Sequence, residues 1–170
     1  MIKIHSKTII IDAGPDFRQQ MLRENVRDID AILLTHDHKD HLAGLDDIRP
    51  FNFNKKKHID IYCENYVFES IKREYSYVFS INKYPGIPKM NINIIDEKPF
   101  RINEIEIIPI RVMHLNLPIL GFKIGDLAYI TDASFINEDE ISKIKNIKYL
   151  VVNALRKKKH YSHFNLEDAL

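Results

Sequence analysis

Cysteine is almost absent from this chain: Cys63 is the single one in 170 residues. An intrachain disulfide is therefore excluded, and so is a zinc site built on several thiolates. Net charge is nearly absent as well, since 25 Lys and Arg face 24 Asp and Glu and leave a formal +1. A protein that grips nucleic acid by bulk electrostatics carries a strong basic excess, so the balance argues against such a partner. No run approaches the roughly 20 apolar residues that a membrane helix needs. Met1-Ile2-Lys3-Ile4-His5 leads almost directly into a strand-like stretch, without a signal-peptide pattern. A cytoplasmic protein with no membrane partner is the expectation. Internal repeats, low-complexity segments and linkers are missing too, so one domain over residues 1–170 is expected. With 45% hydrophobic and 29% charged residues, broad disorder is excluded.

What is plentiful is histidine: eight residues, three of them within six positions. The pattern around them alternates strands and helices. Thr8-Ile9-Ile10-Ile11-Asp12 reads as a buried strand stopped by Ala13-Gly14-Pro15. Asp16 is placed to cap a helix from Phe17 to about Glu24, with Phe17, Met21 and Leu22 on one face. Ala31–Leu34 is a second buried strand. Residues 44–53 read as a short helix broken at Pro50, Ile59–Tyr62 as a strand, and Asn65 to Phe79 as a helix. Lys83 to Lys89, with Pro85, Gly86 and Pro88, is a loop able to reach over a site.

From Met90 the period changes to two. Strands are expected at Asn91–Ile95, Glu104–Ile108 and Ile119–Ile124, and Gly125-Asp126 marks a tight hairpin into Leu127–Ile130. A helix at Glu138–Ile144, a strand at Tyr149–Val152 and a helical turn at Leu166–Leu170 complete the pattern. Such an order implies an α/β sandwich.

The chemistry concentrates in Thr35-His36-Asp37-His38-Lys39-Asp40-His41. His36 and His38, two apart at a strand end, can converge on one cation, while Asp40 and His41 face a second. Imidazole and carboxylate suit zinc, and also manganese or iron. Three His and one Asp at fixed positions arise by chance on the order of once in a thousand chains of this composition. One loop cannot close two sites. His114, after the apolar run Ile107–Met113, and Asp132, after Leu127–Thr131, stand at strand C-termini as further ligands, the carboxylate suited to bridging. Asp12 also ends a strand, where it can orient a metal-bound histidine or water.

Ile11-Asp12-Ala13-Gly14, the His36–His41 run, His114 and Thr131-Asp132 together resemble, in order, the motifs of the metallo-β-lactamase superfamily. Within it, Gly14–Arg18, Gly44–Pro50 and Asn153-Ala154-Leu155-Arg156 look like the branch that holds the phosphodiesterase of the carbon–phosphorus lyase pathway. The resemblance implies a metallo-β-lactamase-type αββα fold, incomplete at both ends. It also implies two divalent cations, zinc or manganese. His36, His38 and His114 would hold one, Asp40 and His41 the other, and Asp132 would bridge them. Relatives extend into a further histidine ligand beyond the position of Leu170.

The resemblance further implies hydrolysis of a small phosphodiester, cyclic ones included, by a water activated between the two cations. Asp40 would orient that water, and His163 would protonate the leaving oxygen. Arg156 would hold phosphate charge, and His160 would sit close by. A thioester, lactone or RNA 3′-end hydrolase on the same fold is an alternative, as is a non-catalytic metal-binding fragment. A homodimer is left open. Lys55-Lys56-Lys57-His58 and Lys157-Lys158-Lys159 read as solvated loops, and Cys63 as an inert core thiol.

Overall fold

The structure, a computed structural model, describes residues 1–81 and 85–170. The chain divides into two compact units, Met1–Ile95 and Asp96–Leu170. Strand and helix numbers below refer to the described residues.

In the first unit the expected β-branched strand is β2 (Lys7–Ile11), and it is preceded by a strand that patterning did not register, β1 (Ile2–Ile4). The two form an antiparallel hairpin, with Ile2 opposite Ile9, turning at His5 and Ser6, both at positive φ. Three residues are too few to show a period. There follow α1 (Phe17–Arg23), β3 (Ala31–Leu33), α2 (Lys39–Leu42), a 3-10 turn at Leu45–Ile48 and α3 (Arg49–Lys55). Then come β4 (Ile59–Cys63), α4 (Asn65–Glu74), α5 (Ser76–Phe79) and β5 (Met90–Ile94). The sheet order is β1-β2-β3-β4-β5, parallel from β2 to β5. β3 is buried on both faces, which is why it reads as an unbroken apolar run.

Several expectations are corrected. Asp16 occupies the N-cap of α1, but its side chain makes no capping bond; the Phe17 N–H reaches the Gly14 carbonyl instead. Phe17 and Met21 face the core while Leu22 points outward, 62% exposed. Pro50 does not break a helix. It sits in the first turn of α3, where its missing N–H has no intrahelical partner to lose. The single helix expected over residues 65–79 divides at Tyr75, whose hydroxyl donates to the Leu42 carbonyl at 2.8 Å. Of the loop expected over Lys83–Lys89, Lys83 and Tyr84 lie outside the described residues, Pro85-Gly86 is a turn, and residues 87–89 are irregular.

The lysine run has a structural job. Lys55 pairs with Asp28 at 2.9 Å and Lys57 lies 3.8 Å from Asp30. Cys63 is fully buried, and burial first, then the Glu64 carboxylate, push its thiol up to about 12; it is inert. The Tyr75 bond ties α4 to the histidine loop, and Tyr75→Phe leaves a carbonyl inside without its donor. Stability should fall by about 1–2 kcal/mol, read as a lower urea midpoint at unchanged slope.

The second unit contains β6 (Phe100–Ile102), β7 (Ile105–His114), β8 (Leu117–Ile124), β9 (Leu127–Ile130), β10 (Phe135–Ile136), α6 (Glu138–Lys143), β11 (Tyr149–Val152) and α7 (Leu166–Ala169). The order is β10-β7-β8-β9-β11, with β6 also on β7. The Gly125-Asp126 hairpin is present, closed by Ile124 opposite Leu127, with Gly125 at φ 56°. β7 joins the strand expected at Glu104–Ile108 and the apolar run Ile107–Met113 into one strand that passes through Pro109. That residue falls between the stretches paired with β6 and with β10, where a missing N–H is tolerated. β6 and β10 were not expected; each is held by pairing with β7 rather than by a pattern of its own. β7 and β9 are both antiparallel to β8, and β11 is parallel to β9. All three strands therefore end at one edge of this sheet. Among the described residues no helix is long and apolar enough to cross a membrane.

Candidate metal centre

In the first unit, β2 and β3 are parallel neighbours, so both end at the edge where parallel sheets gather ligands. Asp12 leaves β2 at φ 60°. Its N–H donates to the Leu33 carbonyl at 2.8 Å, the Ala13 N–H to His41 at 2.7 Å, and the Gly44 N–H back to Ala13 at 2.7 Å. The turn after β2 is thereby stitched to the histidine loop. Gly14 permits that approach, because a Cβ there would meet the Asp40 carbonyl oxygen at 2.2 Å.

Asp12 is the hub. Its carboxylate takes the Thr35 N–H at 2.8 Å, the Thr35 hydroxyl at 2.9 Å and His41 Nδ1 at 2.7 Å. A threonine hydroxyl has one proton, and here it goes to Asp12. His36 Nδ1, 2.9 Å from the same Oγ1, must then be the donor. Both rings are held with the proton on Nδ1 and the lone pair on Nε2, the tautomer a cation needs. Burial pushes the Asp12 carboxyl above the usual range, while donors from His41 and Thr35 draw it down. A cation held by the His41 ring would act in the same sense as those donors.

The His36 ring lies 4.6 Å from that of His38 and 4.2 Å from that of His41. His36 is completely buried. Asp40 is mostly exposed, with Oδ2 3.5 Å from His41 Nε2. Helix α4 braces the loop through Ser70 Oγ, which donates to Asp37 at 2.6 Å, and through Glu74, 2.6 Å from Lys39.

In the second unit, the edge at which β7, β9 and β11 end holds His114, Asp132 and the segment 153–165. His114 Nδ1 lies 2.9 Å from the Ser162 carbonyl, which can only accept, so this ring too keeps its lone pair on Nε2. Asp132, like Asp12, leaves its strand at positive φ, 53°. His163 is 4.7 Å from His114 between ring centres, and its Nε2 is 3.4 Å from Asp132 Oδ1. His163 Nδ1 lies 3.0 Å from Ser162 Oγ and 3.3 Å from His160 Nδ1. Burial is the largest influence on His163 and pushes it down; the Asp132 carboxylate pulls it up, and His114 and His160 push it down again, leaving it below the ordinary range. Arg156 is exposed and donates to the carbonyls of Lys158 and Lys159, shaping the loop that carries His160 and His163.

Sequence reasoning missed Thr35, Ser162 and Asn153. Thr35 stands next to the first histidine, a signal that was available. Ser162 reaches His114 through its carbonyl, which any residue could supply, and His163 through its hydroxyl. Asn153 clamps Ala133 beside Asp132, accepting its N–H at 2.9 Å and donating to its carbonyl at 3.1 Å. Imidazoles with tied Nδ1 atoms, beside carboxylates at strand ends, are donor chemistry that suits a divalent cation.

The family model described as the beta-lactamase superfamily domain matches residues 7–170. An octanoyltransferase of Porphyromonas gingivalis (strain ATCC BAA-308 / W83) is 42% identical over 166 residues, 96% of this chain and 33% of that protein. The crystal structure of a diphosphatase from the PhnP family superposes with a TM-score of 0.90 at 30% identity, covering 98% of this chain and 63% of that one. Zn(2+)-bound PqqB from Methylobacterium extorquens matches at TM-score 0.70 and 18% identity over 92% of this chain and 60% of that one, a likeness of fold alone. The chain thus spans a third of the curated relative and under two thirds of these structures. By fold and by family match, it belongs to the beta-lactamase superfamily, as a member with the metallo-β-lactamase fold.

Proposed function

We propose that residues 1–170 act as one hydrolase domain that binds two divalent cations and cleaves a small phosphodiester. The reading is carried by the anchored histidines. His36, His41 and His114 each have Nδ1 tied to a neighbour, to Thr35, Asp12 and the Ser162 carbonyl respectively. A structural histidine needs no such tautomer control at three places. His36, His38 and His114 are assigned to one cation, Asp40 and His41 to the other, and Asp132 to both. When bound, the two cations would supply positive charge to a phosphate oxygen and make water more acidic.

The protein's own groups do the rest. Asp40, exposed beside His41, orients the attacking water. His163 gives a proton to the leaving oxygen; the Asp132 carboxylate and the Ser162 hydroxyl hold its ring at both nitrogens. The phosphodiester assignment draws on the likeness to the PhnP-family diphosphatase at 30% identity. A second reading, an acyl substrate such as a thioester, draws on the relative named octanoyltransferase, which has two thirds of its length outside the match.

Turnover of bis-p-nitrophenyl phosphate, a lactone and a thioester, together with metal content, separates these. Two equivalents of cation per chain and turnover of the phosphodiester alone are expected. Cation binding without turnover of any of the three would reject the hydrolase reading, and thioester turnover alone would move it to the acyl class. His163→Gln should slow a phosphodiester with an alkyl leaving group about 100-fold. The p-nitrophenyl ester should change far less, because its leaving oxygen needs no proton. Equal losses on both esters would remove His163 from that role.

A further inference from the structure

Two sequence blocks take no direct part in the proposed chemistry, Gly14–Arg18 and Gly44–Pro50. Inside the first unit, both contribute to one cavity of about 610 Å³, on the first by Arg18 and on the second by Asp47, Arg49 and Pro50. This is the size of small-molecule sites, roughly 300–1,000 Å³. Its floor is apolar and rigid: Met21 and Phe51 line it at 7% and 5% exposure. Behind them Phe17 and Phe51 meet edge to face, 6.3 Å between ring centres. Two large apolar side chains on its wall, Leu22 and Phe53, stand 62% and 67% exposed.

The charge around that floor is mostly positive. Three guanidinium groups, Arg18, Arg27 and Arg49, line the cavity against a single carboxylate, Asp47. Arg49 is already engaged, its Nε donating to the Asp46 carbonyl and its Nη2 paired with the Asp46 carboxylate. Arg18 and Arg27 form no ion pair with any described residue. In a chain whose total charge is +1, this is a local excess of cations over an apolar floor.

We propose that this cavity binds an amphiphilic anion, a medium-length hydrocarbon tail ending in one carboxylate or phosphate. The tail lies on Met21 and Phe51, and the head reaches Arg18 and Arg27. Such a site is additional to the hydrolase centre and does not depend on it. A neutral ligand of the same tail would gain the apolar contact and lose the pairing. A peptide partner would use the exposed Leu22 and Phe53 but has no need of a deep floor.

The methionines offer a direct reading, since Met21 lies in the cavity and Met113 lies in the other unit. In the full chain labelled at methionine methyls, octanoate and octyl phosphate should each shift Met21 saturably and leave Met113 in place. The response should be the same with metal chelated or supplied, which separates it from an anion on the metal centre. Octan-1-ol should bind about tenfold more weakly. Arg18→Gln or Arg27→Gln should weaken octanoate by about fivefold each, with Met90 and Met113 signals unmoved as the check on folding. Equal binding of octanol and octanoate, a Met21 signal indifferent to both anions, or a Met21 shift that follows protein concentration without any probe would each overturn the proposal; the last would make the cavity a contact between copies of the chain.

Discussion

Asp12→Asn is expected to lower divalent-cation affinity by about 10- to 100-fold while leaving the chelated protein folded. Asparagine keeps the size of the side chain and tolerates the left-handed backbone that residue 12 adopts at φ 60°. It cannot keep the hydrogen bonds. The carboxylate accepts from the Thr35 N–H, the Thr35 hydroxyl and His41 Nδ1. An amide has one accepting atom, and its NH₂ would face a donor wherever it turned. His41 would lose the acceptor that keeps its proton on Nδ1, and Thr35 would no longer be obliged to accept from His36. Two rings would then be freed to present the wrong nitrogen. The buried carboxyl is costly to ionise, so its loss should not destabilise the cation-free chain. Competition with a coloured chelator measures the affinity, and thermal unfolding in excess chelator measures the fold. Wild-type affinity in the asparagine variant would show that ring tautomer is set elsewhere.

Gly14→Ala should be among the most damaging single methyl groups in the first unit. The added Cβ would sit 2.2 Å from the Asp40 carbonyl oxygen, a backbone atom. Withdrawal is blocked, because Ala13 is bonded through its N–H to His41 and through its carbonyl to Gly44, each at 2.7 Å. A Cβ added at Gly44 would likewise meet the Gly14 carbonyl oxygen at 2.2 Å and Phe17 Cβ at 2.6 Å, so the turn has no room on its other side either. A loss of roughly 3 kcal/mol is expected, or about 6–12 °C in melting temperature for a chain of this length. Cation affinity should fall with it, since the backbone forced aside carries Asp40 and His41. Gly125→Ala provides the contrast: φ is 56° there, but no atom lies within 4 Å of the added methyl. Its cost should be the backbone strain alone, about 1–2 kcal/mol, with cation binding intact. If the two alanines cost the same and both spare the metal, the stitched turn is not what supports the loop.

Long apolar runs announced themselves. Ala31–Leu33, Ile59–Cys63 and Leu117–Ile124 are strands for the reason their composition implies, burial of most or all of their side chains. Short elements did not: β1, β6 and β10 have two or three residues each, and their pairing partners, not their own patterns, make them strands. Pro50 looks like a breaker in the sequence, which does not say whether a proline falls in the first turn of a helix or inside it. The division at Tyr75 came from a tertiary bond, its hydroxyl on Leu42, in a stretch whose apolar spacing reads as continuous.

The histidine motif, with His114 and Asp132 at the ends of apolar runs, was written in the order of residues, because ligand chemistry demands particular side chains at strand ends. How those side chains are aimed was not. The proton on each ring is set by the adjacent Thr35 hydroxyl, by a buried carboxylate and by a main-chain carbonyl, the last two drawn from distant parts of the same unit. Main-chain groups are common to nearly every residue and leave no trace in composition or spacing. The three-dimensional path of the chain alone decides which of them stands beside an imidazole.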